Sequence, residues 1–357
     1  MKRVPQNFHP PGPTLPPRAE EKLKVTMEPT VSDPSQLAVI AIGRNEGERL
    51  HRCVESVMPH ASIVVYVDSG STDDSVSAAR ERGAAIVNLD MSLPFTAARA
   101  RNAGFRYVRQ AAPQAKYVQF VDGDCEVMSG WLREAIAFLD ERTDVVAVTG
   151  LRREQFPDRS VYNWLCDMDW YSPPGQVRSI GGDVMIRVDA LERSGGYRDD
   201  LIAGEEPELC VRLRAEGWKI WRLPTHMTAH DANMTRFSQW WKRTTRTGFA
   251  YAEGAHLHGA PPERHWVREA RSGWAWGLGL PLLVLAGCVL VGPWALLGLL
   301  VYPLQVLRLA LQERANFTRS LVRAGFLVLS KFPQVLGQLK FTANRWRGRQ
   351  AKLIEYK

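Results

Sequence analysis

The chain has 357 residues, 45% of them hydrophobic, which is room for one large domain or two ordinary ones and excludes a mainly disordered chain. Its net charge of +8 suits nucleic acid, anionic lipid or an anionic substrate. No helix-turn-helix, zinc-finger or RNA-binding motif is present, and many basic residues of the C-terminal third flank apolar segments, so a membrane surface is expected and nucleic acid is not. The five cysteines, at 53, 125, 166, 210 and 288, form no C-x-x-C pair, which fits free thiols in a reducing compartment.

Residues 1–36 are rich in proline, including Pro10, Pro11, Pro13, Pro16 and Pro17, and have no apolar run of signal-peptide type, so a disordered leader is expected, with Met27 an alternative start. From residue 37 short apolar runs alternate with amphipathic stretches. Runs 37–42, 62–67, 84–89 and 117–121 read as strands. Stretches 48–58, with Leu50, Val54 and Val57 on one face, and 96–109 read as helices. Such alternation implies right-handed crossovers and an α/β fold with a mainly parallel sheet, expected over 37–255.

Polar groups gather where these strands end. Gly43-Arg44-Asn45-Glu46 follows the first, the stretch from Asp68 to Asp74 the second, and Asp122-Gly123-Asp124 the fourth. Ligands of open parallel sheets sit beyond these carboxyl ends. No G-x-G-x-x-G follows the first strand and no G-x-x-x-x-G-K-[ST] occurs, so hydride transfer and P-loop hydrolysis lose support. Two carboxylates as close as Asp122 and Asp124 repel unless a cation neutralises them, and Mg2+ or Mn2+ takes carboxylates together with phosphate oxygens. The alternative is a plain polar turn.

A late strand is expected at 218–223, with His230 following it. Residues 272–307 carry no charged residue, which is long for one membrane span and near the length of two short ones. Gly292-Pro293 breaks the run. A linker is expected over 256–272 and a transmembrane helical hairpin over 273–312, with arginines on both flanks marking the cytoplasmic side; a single tilted span is the competitor. Residues 319–357 read as an amphipathic surface helix, centred on 321–339, and a basic tail, or else as a soluble packing helix.

Five segments in order, Ala41-Ile42-Gly43-Arg44-Asn45-Glu46, Val67-Asp68-Ser69-Gly70-Ser71-Thr72-Asp73, Ala98-Arg99-Ala100-Arg101-Asn102-Ala103-Gly104, Asp122-Gly123-Asp124 and Gly204-Glu205-Glu206-Pro207-Glu208-Leu209, resemble glycosyltransferase family 2 enzymes of the GT-A fold over roughly residues 37–250. The resemblance implies a nucleotide-sugar donor with Mg2+ or Mn2+. By it, Asp68 accepts a hydrogen bond from the nucleotide base, Glu46 lies near the ribose, Arg101 contacts phosphate, and Asp122 positions ribose or sugar and the metal's hydration shell. Asp124 coordinates the metal, His230 approaches it, and Glu206 is the general base, in place of the aspartate usual in the family, with Glu205 the alternative. Each has a plainer alternative: a turn cap for Asp68, a first-turn charge for Glu46 and Glu206, a helix-surface arginine for Arg101, and a structural histidine for His230.

The segment Trp240-Trp241-Lys242-Arg243 does not match the Q-x-x-R-W motif of processive synthases, which favours addition of one sugar. The resemblance and the apolar segments together imply an inverting transfer to a hydroxyl, on a lipid-linked saccharide of surface polysaccharide synthesis, at the cytoplasmic face of the inner membrane. The alternatives are transfer to a polyprenyl phosphate, and a non-catalytic membrane scaffold that retains the fold.

Overall fold

A computed structural model describes residues 34–313, 316–349 and 353–354. The leader expected over 1–36, with Met27, lies outside them apart from the turn Pro34–Gln36, as does most of the tail beyond 349.

Nine strands form one sheet: β1 (Leu37–Gly43), β2 (Ile63–Asp68), β3 (Ala85–Asn88), β4 (Tyr117–Asp122), β5 (Cys125–Val127), β6 (Val145–Glu154), β7 (Gly175–Val177), β8 (Val184–Arg187) and β9 (Lys219–His230). Their order is β3-β2-β1-β4-β8-β6-β9-β5, with β7 also on β9. β1 is buried on both faces, Ala38, Ile40 and Ile42 entering one core cluster and Leu37, Val39 and Ala41 the other. That is the pattern of a central strand covered by helices on both sides. Helix Ala97–Ala111 covers the first face, and helices Glu48–Val57 and Trp131–Glu141 cover the second.

The sheet is parallel from β3 to β4, where strands and helices alternate, and mixed beyond. β8 runs antiparallel to both β4 and β6, while β6 and β9 are parallel. The expectation of a mainly parallel sheet came from residues 37–121 and describes only that half. The reversal has a consequence for the site: an antiparallel β8 brings its own start, preceded by Asp183, to the end of β4. There the Asp122 N–H donates to Asp183 Oδ1 at 3.1 Å.

After β9, helix Phe237–His258 leads to helix Val267–Trp274, so only 259–266 of the linker expected over 256–272 is non-helical. Two helices, Val267–Val291 and Pro293–Gln312, are long and apolar enough to cross a membrane. Most of their side chains face outward, Val289 and Leu290 among the most exposed.

Residues 319–357 differ from one surface helix. They form two helices, Phe317–Leu329 and Lys331–Trp346. The second lies along Phe237–His258, where a Cβ on Gly248 or on Gly337 would overlap the other helix's backbone. Small residues at the crossing allow that approach and bury Val335 and Gln338, which the charged residues around them concealed in the sequence pattern.

Candidate active site

Parallel pairing sets the ends of the first strands side by side, Ile42 opposite Asp122 and Gly43 opposite Asp68. β4 stops at Asp122, Gly123 turns the chain, and β5 pairs with β9 so that Cys125 lies opposite His230. His230 is therefore the last residue of β9 and not a loop residue beyond a strand ending at 223. The strand continues because residues 226–230 find partners in β6 and β5. This pairing brings His230 Nε2 to 3.2 Å from Asp124 Oδ1.

A cavity of about 320 Å3 opens at these ends, lined among others by Glu46, Arg101, Asp122, Asp124, Glu205, Glu206 and His230. Arg101 comes from helix Ala97–Ala111, which starts where the Thr96 hydroxyl accepts from the Arg99 N–H at 3.1 Å. Its guanidinium is buried among carboxylates and not on the helix surface. Nη2 meets Asp122 Oδ1 at 3.0 Å, and Nη1 meets Glu205 Oε1 at 2.8 Å and Glu206 Oε1 at 3.2 Å. Arg101 is 2% exposed, and a buried guanidinium is tolerable only with such partners.

Glu205 and Glu206 open helix Glu205–Ala215 after Gly204, whose φ of 83° suits a glycine. Pro207 is its third residue, still within the turn whose N–H groups have no helical acceptor. Burial and then the Glu205 charge push the Glu206 carboxyl up to about 7, although Arg101 opposes the rise. A second clamp stands opposite. Arg152, at the end of β6, meets Asp183 at 2.7 Å and Asp122 at 3.9 Å. Asp183 also accepts from the Thr228 hydroxyl at 2.7 Å.

The donor set at the end of β4 fits a hard divalent cation. Burial, reinforced by Arg152, lowers the His230 pKa to about 4, so its imidazole is neutral and able to ligate. One ring nitrogen faces Asp124, and the buried Nδ1 has no hydrogen-bond partner. Cys125 lies within the same group, and burial raises its thiol well above the ordinary value. The carboxylates suit Mg2+ or Mn2+, and a neutral imidazole is a donor that divalent transition metals accept.

Asp68 stays outside the cavity. Its Oδ2 accepts from the N–H groups of Gly70 and Ser71 at 2.9 and 3.0 Å, and its Oδ1 accepts from the Tyr66 hydroxyl at 3.1 Å, the geometry of a turn cap. Glu46 lines the cavity just before helix Glu48–Val57 and pairs with Arg49 at 2.7 Å. Sequence reasoning missed Arg152 and Trp170, gave Glu205 only as the alternative base, and placed Asp183 only within an acceptor-side loop. Arg152 packs over the Trp170 ring at 5.5 Å, and Trp170 meets the His230 ring edge-on at 4.5 Å. The arginine pair at 152–153 and the Gly-Gly-Asp at 181–183 were the available signals, and neither carries a spacing that points to β4.

Residues 38–190 match the family model described as Glycosyl transferase family 2. The chain is 26% identical over 263 residues to the pre-mycofactocin glycosyltransferase of Mycobacterium tuberculosis, which covers 67% of this chain and 53% of that protein. It is 31% identical over 120 residues to a TPR repeat-containing protein of Synechococcus elongatus, covering 34% of this chain and 28% of that one. The chain thus spans about half the length, or less, of these curated relatives. Among solved structures, a mannosyltransferase from Pyrobaculum calidifontis in complex with GDP-Man and Mn2+ superposes with a TM-score of 0.61 at 19% identity, over 89% of this chain and 90% of that one. That likeness shows a shared fold of the GT-A type.

Proposed function

From the glycosyl transferase family 2 domain that this chain carries over residues 38–190, we propose that the protein is a metal-dependent, inverting glycosyltransferase. It moves one sugar from a nucleotide-sugar to a hydroxyl, with a lipid-linked saccharide of surface polysaccharide synthesis as acceptor. The carrying observation is one cavity that holds Asp124 beside a neutral His230 and, across Arg101, a Glu206 carboxyl whose pKa is raised into the working range.

In this reading Asp124 and His230 would hold Mg2+ or Mn2+, and the ion would supply positive charge to offset the negative charge growing on the departing diphosphate. Glu206 takes the proton from the acceptor hydroxyl, for which a carboxyl titrating near 7 is well matched. The acceptor oxygen bonds to the anomeric carbon as the bond to the diphosphate breaks, and a single displacement inverts that centre. Arg101 holds Asp122 and Glu206 in register through its two ion pairs. Glu46 and Asp122 line the donor side, Asp122 positioning ribose or sugar, while Asp68 supports the nucleotide-side turn through its cap.

The exposed apolar helices Val267–Val291 and Pro293–Gln312 suit a hairpin in the inner membrane, with the cavity facing the cytoplasm. A second reading draws on Arg243 and Arg246, which also line the cavity and suit an acceptor phosphate. A polyprenyl phosphate is already ionised and needs no base, so Glu206→Gln would then leave turnover unchanged.

The test is binding of UDP-, GDP- and dTDP-sugars with Mn2+ to detergent-purified protein and to Asp124→Ala. Metal-dependent binding of one donor, lost in the variant, is expected. Equal binding by the variant removes the metal assignment, and binding of no donor favours a scaffold that keeps the fold without the activity.

A further inference from the structure

The loop 259–266 lies between the last helix of the sheet domain and the first apolar helix, and its ends and centre grip the helix that carries Glu206. Glu263 pairs with Arg214 in the last turn of Glu205–Ala215 and with Arg178. His258, just before the loop, places Nε2 3.0 Å from Glu208 Oε1 in the first turn. Trp266 closes on the helix start. A Cβ on Gly204 would lie 2.8 Å from the indole, and one on Gly254 would lie 2.5 Å from it, so two glycines leave the space the ring fills. Tyr251 meets the indole edge-on at 5.3 Å and His265 stacks on it at 4.2 Å.

The backbone of Trp266 has a φ of 52°, a conformation that a bulky residue keeps only where its surroundings over-determine it. The helix it presses on has no side-chain cap of its own, since Gly204 offers none. Rigidity at that first turn must come from outside the helix. Arg101 pairs with Glu205 and Glu206, and Trp266 packs against Gly204 just before them. Gly204 directly precedes Glu205 and Glu206, and Trp266 directly precedes the apolar helix Val267–Val291.

We propose that Trp266 is a positioning residue that sets where the Glu206 carboxylate stands and ties that position to the seating of the first apolar helix. The inference rests on the reading of Glu206 as base. An indole wedged between Gly204 and Gly254 transmits a displacement of the apolar helix to the first turn of Glu205–Ala215, because close-packed groups have no slack to absorb it. A small misplacement of a reacting group lowers rate far more than it lowers binding.

The experiment measures the donor selected by the binding panel, with Mn2+, on Trp266→Ala, Trp266→Phe and Glu206→Gln, reading donor Kd and the release of nucleoside diphosphate with water as acceptor. Trp266→Ala is expected to lower kcat roughly 10- to 100-fold with donor Kd within about twofold, and Trp266→Phe to recover most of the loss. A wild-type kcat in Trp266→Ala, or a parallel loss of donor binding and kcat that phenylalanine does not rescue, overturns the proposal. Glu206→Gln separates the two readings. If it turns over normally, the base assignment fails and takes this inference with it; if it is inactive while Trp266→Ala is normal, only the role of Trp266 fails.

Discussion

Arg101 joins the two halves of the cavity. One guanidinium, 2% exposed, meets Asp122 on the metal side and Glu205 and Glu206 on the base side, so removing its charge would leave three carboxylates facing one another. The Glu206 carboxyl is raised chiefly by burial and then by Glu205, with Asp122 adding to the rise, and it is lowered by Arg101. A base acts in its ionised form, so turnover should increase with pH through about 7. Arg101→Lys keeps one charge but cannot fork to three acids. It should move that rising limb upward by roughly one unit, the effect of about 1.4 kcal/mol of lost carboxylate stabilisation. A pH profile of kcat that stays in place would show that Arg101 does not govern the base. At the same scale, His230→Ala should weaken Mn2+-dependent donor binding without changing metal-free binding, as a calorimetric titration would reveal.

Among elements, the crossing of helices Phe237–His258 and Lys331–Trp346 has the strongest stability consequence. Gly248 and Gly337 let the two backbones meet, and no side chain fits at either point. Gly248→Val should destabilise by at least about 1–3 kcal/mol, the usual penalty of overpacking, and lower the melting temperature of the detergent-purified protein. Gly325, inside helix Phe317–Leu329, has open space within 4 Å of where a Cβ would stand, so Gly325→Ala should stabilise by up to about 1 kcal/mol through helix propensity alone. Opposite signs in one thermal series would separate close approach from backbone entropy. Similar shifts for both would mean that the two helices are not held as tightly as their geometry demands.

For the whole molecule, the exposed apolar surface of Val267–Val291 and Pro293–Gln312 decides how it is held. Only 11% and 6% of their most apolar windows are buried, and a water-soluble protein rarely exposes so much contiguous apolar area. The full chain should remain with membranes through high salt and alkaline carbonate, and leave them only in detergent. Release by carbonate would mean attachment through basic helices and headgroups, as for a surface-bound protein. The helix Lys331–Trp346 returns to the sheet domain after the apolar hairpin, so the cavity and the hairpin are fastened by two connections, this packing and the loop 259–266.

The sequence by itself determined the α/β class, the parallel character of the first four strands and the placing of Glu46, Asp122 and Asp124 at strand ends, because periodicity and strand-end chemistry are local properties of the chain. It also marked the apolar segments, since hydropathy requires no partner to be read. Tertiary structure alone decided that β8 runs antiparallel and delivers Asp183 beneath Asp122, that β9 extends far enough to set His230 against Asp124, and that Arg101 faces three acids. Each of these depends on pairing between segments tens of residues apart, where the interaction energy belongs to the pair and leaves no period in either segment. The same holds for Asp68, whose carboxylate could serve a ligand or a turn by composition, and whose Oδ2 the fold sets against the N–H groups of Gly70 and Ser71.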